Sequence, residues 1–461
     1  MVKKSVSFLI ILAMVLGPAA VFAAPVFNPN AYYKLVNRAT GKYLDNAGST
    51  ANGANVKQYS GSSSNNQQWK IIQSDTGYYK LVCRTGGKTL DNLGATTDGA
   101  NMGQWDLNGS YNQQWQIVDQ GNGYYKLICR TGGKCLDTGG LTADGSAVQQ
   151  WGSGSSYNQQ WQIVLSTTTG DKNPALWGLY ADPYITVFNG TYYIYPTTDG
   201  YPSWSGSSFK AFSSTDLVNW TDRGTILDLV PDVSWSDSKA WAPCIVKKGS
   251  TYYYYFSASS QIGVATSSSP TGPFTDALGK PLVTTNQYGC QSIDPDVFID
   301  DDGQAYMYFG QGKCMAARLN ADMKSFATTP VDITPSGYNE GSHVFKRNGK
   351  YYLTWSENDT RSEDYRVAYA TASSPIGPFT KAANNPILVK NLSLGIKGTG
   401  HHSVLKIPSR DEWYIVYHRF AIPGGDGTHR EVCIDRLYFN TDGTIKNVVP
   451  TLTGITSPVA P

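Results

Sequence analysis

Beyond residue 176 the chain alternates short apolar runs with glycine turns, and one plan recurs five times. An acidic or aromatic residue leads, an apolar strand follows, then a Gly turn, then a second strand dense in Tyr. The copies are ADPYITVFNGTYYIYPT from Ala181, AWAPCIVKKGSTYYYYFSA from Ala240, IDPDVFIDDDGQAYMYFG from Ile293, NEGSHVFKRNGKYYLTWSE from Asn339 and, less regularly, GHHSVLKIPSRDEWYIVYHR from Gly400. The leads are Asp182, Trp241, Asp294, Glu340 and His401, and in the first four the turn glycine comes eight or nine residues later. Successive leads stand 46 to 61 residues apart, the length of a propeller blade, a small antiparallel sheet set radially. The pattern predicts a five-bladed β-propeller over 176–455. Strands nearest the axis aim their early residues at the central channel, so two Asp, one Glu and one His are expected to meet at one of its ends.

Ahead of this lies a different period. A 46-residue unit begins at Tyr32, Tyr78 and Tyr124 with YYKLVNRATGKYLDN, YYKLVCRTGGKTLDN and YYKLICRTGGKCLDT, and each copy closes on NQQW at Trp69, Trp115 and Trp161. Strand-like runs alternate with Gly, Asn and Ser turns, and helical periodicity is missing. Three units too short to bury a core singly are expected to share one about a pseudo-threefold axis over 30–165, with the three closing Trp inside it. A second recurring set pairs Asp45, Asp91 and Asp137 with Tyr59, Trp105 and Trp151. A carboxylate accepts sugar hydroxyls while an aromatic ring stacks on a pyranose face, so this pairing suits saccharide recognition. The competing reading is that the Asp caps a turn and the ring merely packs. After Val164 comes the polar stretch LSTTTGDKNP, and 166–175 reads as a linker.

Composition narrows the class. With 461 residues, 31 Tyr, 12 Trp, 47 Gly and only 16% charged residues, the chain reads as a two- or three-domain, all-β, carbohydrate-facing protein. Residues 1–23 have two Lys, an apolar run from Phe8 to Leu16 and Val21-Phe22-Ala23, a signal peptide too short in its apolar part to span a membrane. A secreted, extracellular protein is expected, with no membrane association after cleavage. Losing two of the 37 basic residues leaves 35 against 35 acidic ones, which argues against nucleic acid as partner. Of seven Cys, Cys129 and Cys135 bracket a tight RTGGK turn and are the best disulfide candidates, while Cys83 has no matching partner. No Cys spacing reads as a zinc site.

Hydrolysing a glycosidic bond needs one carboxyl protonated, to supply a proton to the leaving oxygen, and one ionised, to draw a proton from water or to attack. Glu340, in NEGSH, is the expected acid and Asp182, in YADPY, the expected base. Asp294 is expected between them, its charge holding Glu340 protonated. Asp296 is its rival, since period two points both residues to one face. Asp300, Asp301 and Asp302 read as a solvated hairpin turn.

These residues reach two families. The Leu-Asp pairs with Gln67-Gln68-Trp69, Gln113-Gln114-Trp115 and Gln159-Gln160-Trp161 resemble ricin-B-type β-trefoil lectins and family 13 carbohydrate-binding modules across 30–165. The resemblance adds an Asn after the aromatic, matched by Asn108 alone; repeats one and three have YSGS and WGSG there. YADPYI, AWAP, IDPDVFIDDDG, EGSHVFKRNGKYYLTWS and GTGHHSV resemble family 43 glycoside hydrolases, five-bladed propellers that invert anomeric configuration. Carried over, Asp182 is base, Asp294 pKa modulator and Glu340 acid; His401 helps hold a calcium-centred water cluster in the channel, a soft transfer because calcium prefers oxygen ligands. Arg430 matches the substrate-binding Arg, with Arg436 as fallback, and Trp241 and Trp204 are candidates for the sugar-stacking wall. The resemblance implies an all-β trefoil followed by a propeller, acting as a monomer without organic cofactor. It implies a secreted exo-glycosidase removing terminal α-L-arabinofuranose or β-D-xylose from plant polysaccharide. An exo-β-1,3-galactanase, an endo-arabinanase and a non-catalytic lectin are the rivals.

Overall fold

The computed structural model describes residues 27, 31–120, 123–168, 171–176, 178–422 and 425–461; the signal peptide expected over 1–23 lies outside them. Among the described residues the chain is almost wholly β-structure, and no helix is long and apolar enough to cross a membrane.

Six strands close the first unit. Ala31–Asn37, Trp69–Asp75, Tyr78–Cys83, Trp115–Asp119, Tyr124–Cys129 and Trp161–Thr168 each pair antiparallel with the next, and the last returns to the first. Trp69, Trp115 and Trp161 are fully buried in the shared core, and each indole N–H donates to a carbonyl, of Leu44, Leu90 and Leu136, at 3.0 to 3.2 Å. A buried Trp needs such a partner, and the repeat supplies it three times over.

Cys129 and Cys135 do not join, and all seven Cys are free and buried. Cys135 pairs across the ladder with Ile128, so by strand alternation it shares a face with Ile128 while the adjacent Cys129 points the other way. Cys129 enters the Trp core instead.

The second unit is five sheets, four of four strands and one of three. Their innermost strands are Tyr180–Phe188, Ala240–Lys248, Asp296–Ile299, Glu340–Arg347 and Gly400–Lys406, and each packs on those of both neighbours to close a ring. One apolar core fills each of the five gaps between blades. The Tyr-dense second strands explain themselves here. In Thr251–Ala258, Tyr254 and Phe256 pack toward blade 1 while Tyr255 packs toward blade 3, so both faces of the strand are apolar.

The ring closes through the segment expected to be a linker. Ala175 N–H donates to Val432 O at 2.7 Å, and the buried Asn173 side chain bonds Ile434 N–H at 2.8 Å and Thr451 O at 2.9 Å. This segment therefore edges the three-stranded blade 5, because the free edge of Arg430–Leu437 offers unpaired backbone groups that must find partners.

At or just before the start of each innermost strand stands a residue in the left-handed region: Asp182, Ala242, Asp294, Gly341 and His401, with φ between 37° and 63°. In four blades the backbone N–H of that residue is taken by a side chain from the second strand of the preceding blade. Thr197 holds Ala242 at 2.7 Å, Ser257 holds Asp294 at 2.9 Å, Ser356 holds His401 at 2.8 Å and His418 holds Asp182 at 3.2 Å. Blade 3 has Gly310 at this place, opposite Ile293. With no side chain there, the Gly341 N–H turns to Asp294 Oδ2 at 3.2 Å. The one blade junction without a staple thus hands its amide to a carboxylate.

Candidate active site

The left-handed turns place Asp182, Asp294 and His401 at equivalent points of blades 1, 3 and 5, but Glu340 and Trp241 precede theirs by one residue. The five leads are therefore not in one register, as the glycine spacing suggested. The blade 1, 2, 4 and 5 strands each carry a bulge at their start, where an extra residue re-aims side chains. All five still line one cavity of about 260 Å³ at one mouth of the channel, with Trp204, Gln291, Ile293, Gln311, Asp359, Thr360, Arg361 and Arg430.

Asp182 is held ionised. Burial would raise its pKa, but the Arg430 guanidinium, with His401 and His418 beside it, outweighs burial and holds it well below the usual carboxylate range. Arg430 Nη1 lies 3.1 Å from Asp182 Oδ1, and its remaining donors grip Asp199 at 2.9 and 3.1 Å. His418 is pushed down to about 4 by burial and the Arg430 charge, and burial likewise lowers His401. Arg430 is thus the cation that Asp182 faces at neutral pH.

Glu340 is held protonated. Burial raises it to about 7, Tyr365 and Gln311 hydrogen bonds oppose this, and the charges of Asp182 and Asp359 add to it. Asp294, 6% exposed, is itself raised well above the usual range, by burial first and by Glu340's charge next. Glu340 is raised by the charges of Asp182 and Asp359 and not chiefly by Asp294, while Asp294 is raised by that of Glu340, so the pair retains a proton through neutrality. One carboxyl kept charged and another kept neutral in one cavity can serve as base and acid together.

Asp296 stands apart from this cavity. Its carboxylate takes the Val344 N–H at 2.8 Å and His343 Nδ1 at 3.1 Å, which joins blade 3 to blade 4 deeper in the channel. The expected period-two pairing with Asp294 fails because Asp294 has φ 57° and precedes the strand. Arg436 is also elsewhere, exposed and paired with Glu412. Asp300–Asp302 form the expected turn, with Asp300 bound to Lys346 Nζ at 2.7 Å.

The wall is two tryptophans. Trp241 Nε1 donates to Trp204 O at 2.7 Å, and Trp204 Nε1 to Gly427 O at 2.8 Å. Trp204 has φ 53°, a conformation held by these two bonds. Beside the wall, a Cβ on Gly427 would stand 2.8 Å from Arg361 Cα and 3.0 Å from Thr360 O, so the loops of blades 4 and 5 touch at the Trp204 side of the mouth.

Calcium does not fit. Below the cavity, about 20 Å³ of channel is lined by the carboxyls of Asp182, Asp294 and Asp296 with Ser342, His343, His401 and His402 among others, and Asp296 is taken up by the Val344 N–H and His343 Nδ1. The polar atoms left without partners there are His343 Nε2, His402 Nδ1 and Ser342 Oγ, two nitrogens to one oxygen, while His401 Nδ1 is engaged 3.2 Å from Asp182 Oδ1. Calcium asks for six to eight oxygens, whereas this volume has room for a single bridging water. The described residues hold no group of three or more His, Cys, Asp or Glu set to bind a metal.

In the N-terminal unit the three Asp cap turns. Asp45, Asp91 and Asp137 accept from the N–H groups of Ala47, Leu93 and Gly139 at 2.6 to 2.7 Å. Trp105 and Trp151 are nonetheless 42% and 40% exposed; Tyr59 is half-buried. A recess of about 240 Å³ in the second repeat is lined by Asp91, Leu93, Trp105, Asn108, Ser110 and Asn112.

Sequence reasoning missed four residues that bond the cavity's charged groups, besides lining residues such as Asp359 and Arg361. Asp199 sits in a TDG triplet that reads as an ordinary turn, Gln311 in a Gly-flanked loop, and Tyr365 in a loop with no repeat. His418 could have been found, since Thr197, Ser257 and Ser356 recur at its place on the second strands.

Residues 171–445 match the model described as glycosyl hydrolases family 43. Residues 24–105, 87–151 and 111–176 match the ricin-type beta-trefoil lectin domain-like model. The beta-D-galactofuranosidase xynD of Aspergillus niger is 40% identical over 63% of this chain and 90% of its own length. An arabinoxylan arabinofuranohydrolase of Paenibacillus polymyxa is 32% identical over 63% of this chain, which spans only 53% of that protein. Among solved structures, a family-43 β-xylosidase/α-arabinofuranosidase from a compost microbial metagenome, in calcium-free form with xylotriose, is 31% identical with a TM-score of 0.51, over 59% of this chain and 94% of that one.

Proposed function

The chain belongs to glycosyl hydrolase family 43, and on that premise we propose that it is a secreted, monomeric, inverting exo-glycosidase that removes terminal pentoses from plant cell-wall polysaccharide. The observation that carries this reading is the cavity itself. About 260 Å³, below the roughly 300 Å³ at which drug-sized pockets begin, is in keeping with one sugar ring, and the contact of Gly427 with Thr360 and Arg361 favours a pocket over an open groove. An endo-acting arabinanase needs that groove open.

In this mechanism a water on the far side of the anomeric carbon gives its proton to Asp182 as its oxygen bonds to carbon. Glu340 gives its proton to the glycosidic oxygen, which leaves with the bonding pair. Asp294, bonded to the Gly341 N–H, orients the turn that carries Glu340. Trp204 and Trp241 supply the stacking wall, and the ring hydroxyls face Arg430. The trefoil, through Trp105 and the recess beside Asp91 and Asn108, holds the enzyme on its polymer.

The similarity to a galactofuranosidase favours a second reading within the same chemistry, because terminal galactofuranose presents the same five-membered ring as arabinofuranose with a longer exocyclic arm. Release of nitrophenol from α-L-arabinofuranoside, β-D-xyloside and β-D-galactofuranoside decides among them. NMR of the first-formed sugar should show the opposite anomer to the substrate. Retention, or no turnover of any of the three by the folded protein, defeats the proposal.

A further inference from the structure

Both oxygens of Glu340 are met by donors that the reaction scheme above leaves without a duty. Tyr365 O–H donates to Oε1 at 2.8 Å, and Gln311 Nε2 donates to Oε2. Tyr365 lies in the loop before Arg366–Ala372 and is fully buried. Its ring stacks on the His418 imidazole, centroids 5.5 Å apart and planes 12° from parallel, and His418 Nδ1 lies 3.1 Å from Asp182 Oδ1. One ring therefore touches the surroundings of both carboxyls.

The fold reserves the space. A Cβ on Gly400 would stand 2.3 Å from the Tyr365 ring, so glycine at the first position of the blade 5 strand is what lets the ring lie flat there. Gln311 is fixed in turn by a backbone bridge to Gln291, at 3.0 and 3.2 Å, directly after the Gly310 that leaves blade 3 without its staple.

We propose that Tyr365, with Gln311, is a positioning residue for the hydrolysis. The two donors hold the Glu340 carboxyl in the one orientation that meets the leaving oxygen, and they receive the negative charge left on it once its proton has gone. The inference rests on the reading of Glu340 as the acid. Tyr365 keeps its own proton throughout: the proton that moves is that of Glu340, and the hydroxyl contributes a hydrogen bond that shortens as the carboxylate forms. Burial and the Glu340 charge hold the phenol well above its usual range, so it stays a donor.

Tyr365→Phe keeps the ring and its stack and deletes only the donor. With a poor leaving group, such as a sugar or alkyl aglycone, kcat should fall about tenfold or more, a part of the 10²–10⁴ that general acid catalysis supplies. With a dinitrophenyl leaving group, which needs no proton, kcat should change less than about twofold. The alkaline limb of the kcat/KM profile should move to higher pH, because a donor favouring the ionised form is lost. Gln311→Met should move the limb the same way, and it carries the test should the Phe variant fail to fold. A limb that stays in place in the folded variants, with equal losses on both leaving groups, overturns the inference. Glu340→Gln measured alongside separates the two readings: if it keeps its rate on poor leaving groups, the acid reading falls and this one with it. If Glu340→Gln is inactive while the Tyr365 and Gln311 variants match the parent, only the positioning role falls.

Discussion

Replacing Glu340 by Gln tests the electrostatics of the cavity through stability as well as rate. The Glu340 carboxyl is raised from 4.5 to about 7. Below pH 4.5 the side chain is neutral in both folded and unfolded chains, and it costs nothing. Between these values the unfolded chain loses the proton while the folded one keeps it, so stability falls as pH rises, and the full cost is reached above pH 7. At 1.36 kcal/mol for each unit this amounts to roughly 3 kcal/mol. Glutamine is neutral at every pH and escapes that cost. It brings a smaller one, because its NH₂ faces either the Tyr365 hydroxyl or the Gln311 amide, a mismatch of about 1 kcal/mol. The variant should therefore be about 1 kcal/mol less stable than the parent at pH 4 and about 2 kcal/mol more stable at pH 8. At about 2 °C per kcal/mol for a domain of this size, its Tm should lie a few degrees below the parent's at pH 4 and a few degrees above it at pH 8. Scanning calorimetry at pH 4, 6 and 8 reads the crossover, while turnover of poor leaving groups drops by about 10²–10⁴. A Tm difference that is flat with pH, or that runs the other way, refutes the claim that burial keeps this carboxyl neutral.

Arg430→Met removes the cation beside Asp182 and leaves two buried carboxylates without their partner, so it should cost about 3–5 kcal/mol. It should also move the acid limb of any residual activity upward, because Asp182 is then no longer held below the usual range. Trp105→Ala should weaken binding to insoluble polysaccharide and leave hydrolysis of small aryl pentosides unchanged; Trp151→Ala, in a repeat without the Asn, should weaken it less. Loss on small substrates as well would make the trefoil a folding partner. Chelation by EDTA should leave kcat and Tm where they were, since the channel groups suit water and not calcium; a loss restored by added calcium would contradict the fit argued from His343, His402 and Ser342.

The five innermost strands were legible because their cause is periodic. A strand apolar on both faces, a glycine turn and a Tyr-rich partner must recur if every gap between blades is to be filled, and Tyr254 and Tyr255 show one strand feeding two gaps. The trefoil was legible for the same reason, three Trp in one core. What escaped is aperiodic. The left-handed residues that open the blades displace Glu340 and Trp241 by one position from Asp182, Asp294 and His401, and a two-residue alternation carried through such a residue gives the wrong face, as it did for Asp294 and Asp296. The Cys129–Cys135 pairing failed on the same point: closeness along the chain does not choose a face of the strand.

Chemistry and repetition are arranged here in opposite senses, and that is why the site could be located but only partly read. Four junctions use a hydroxyl or an imidazole to hold the next blade's amide, which is repetition serving the fold. The fifth gives up its side chain at Gly310, and the freed Gly341 N–H goes to Asp294, while the next residue, Gln311, reaches Glu340. A departure from the repeat is therefore what distinguishes the Glu340 side of the cavity from a structural blade junction. Restoring a hydroxyl there meets a backbone oxygen, since a Cβ on Gly310 would stand 2.4 Å from Lys313 O. Packing around Gly310 thus excludes the staple found at every other junction, and the carboxylate keeps its donor.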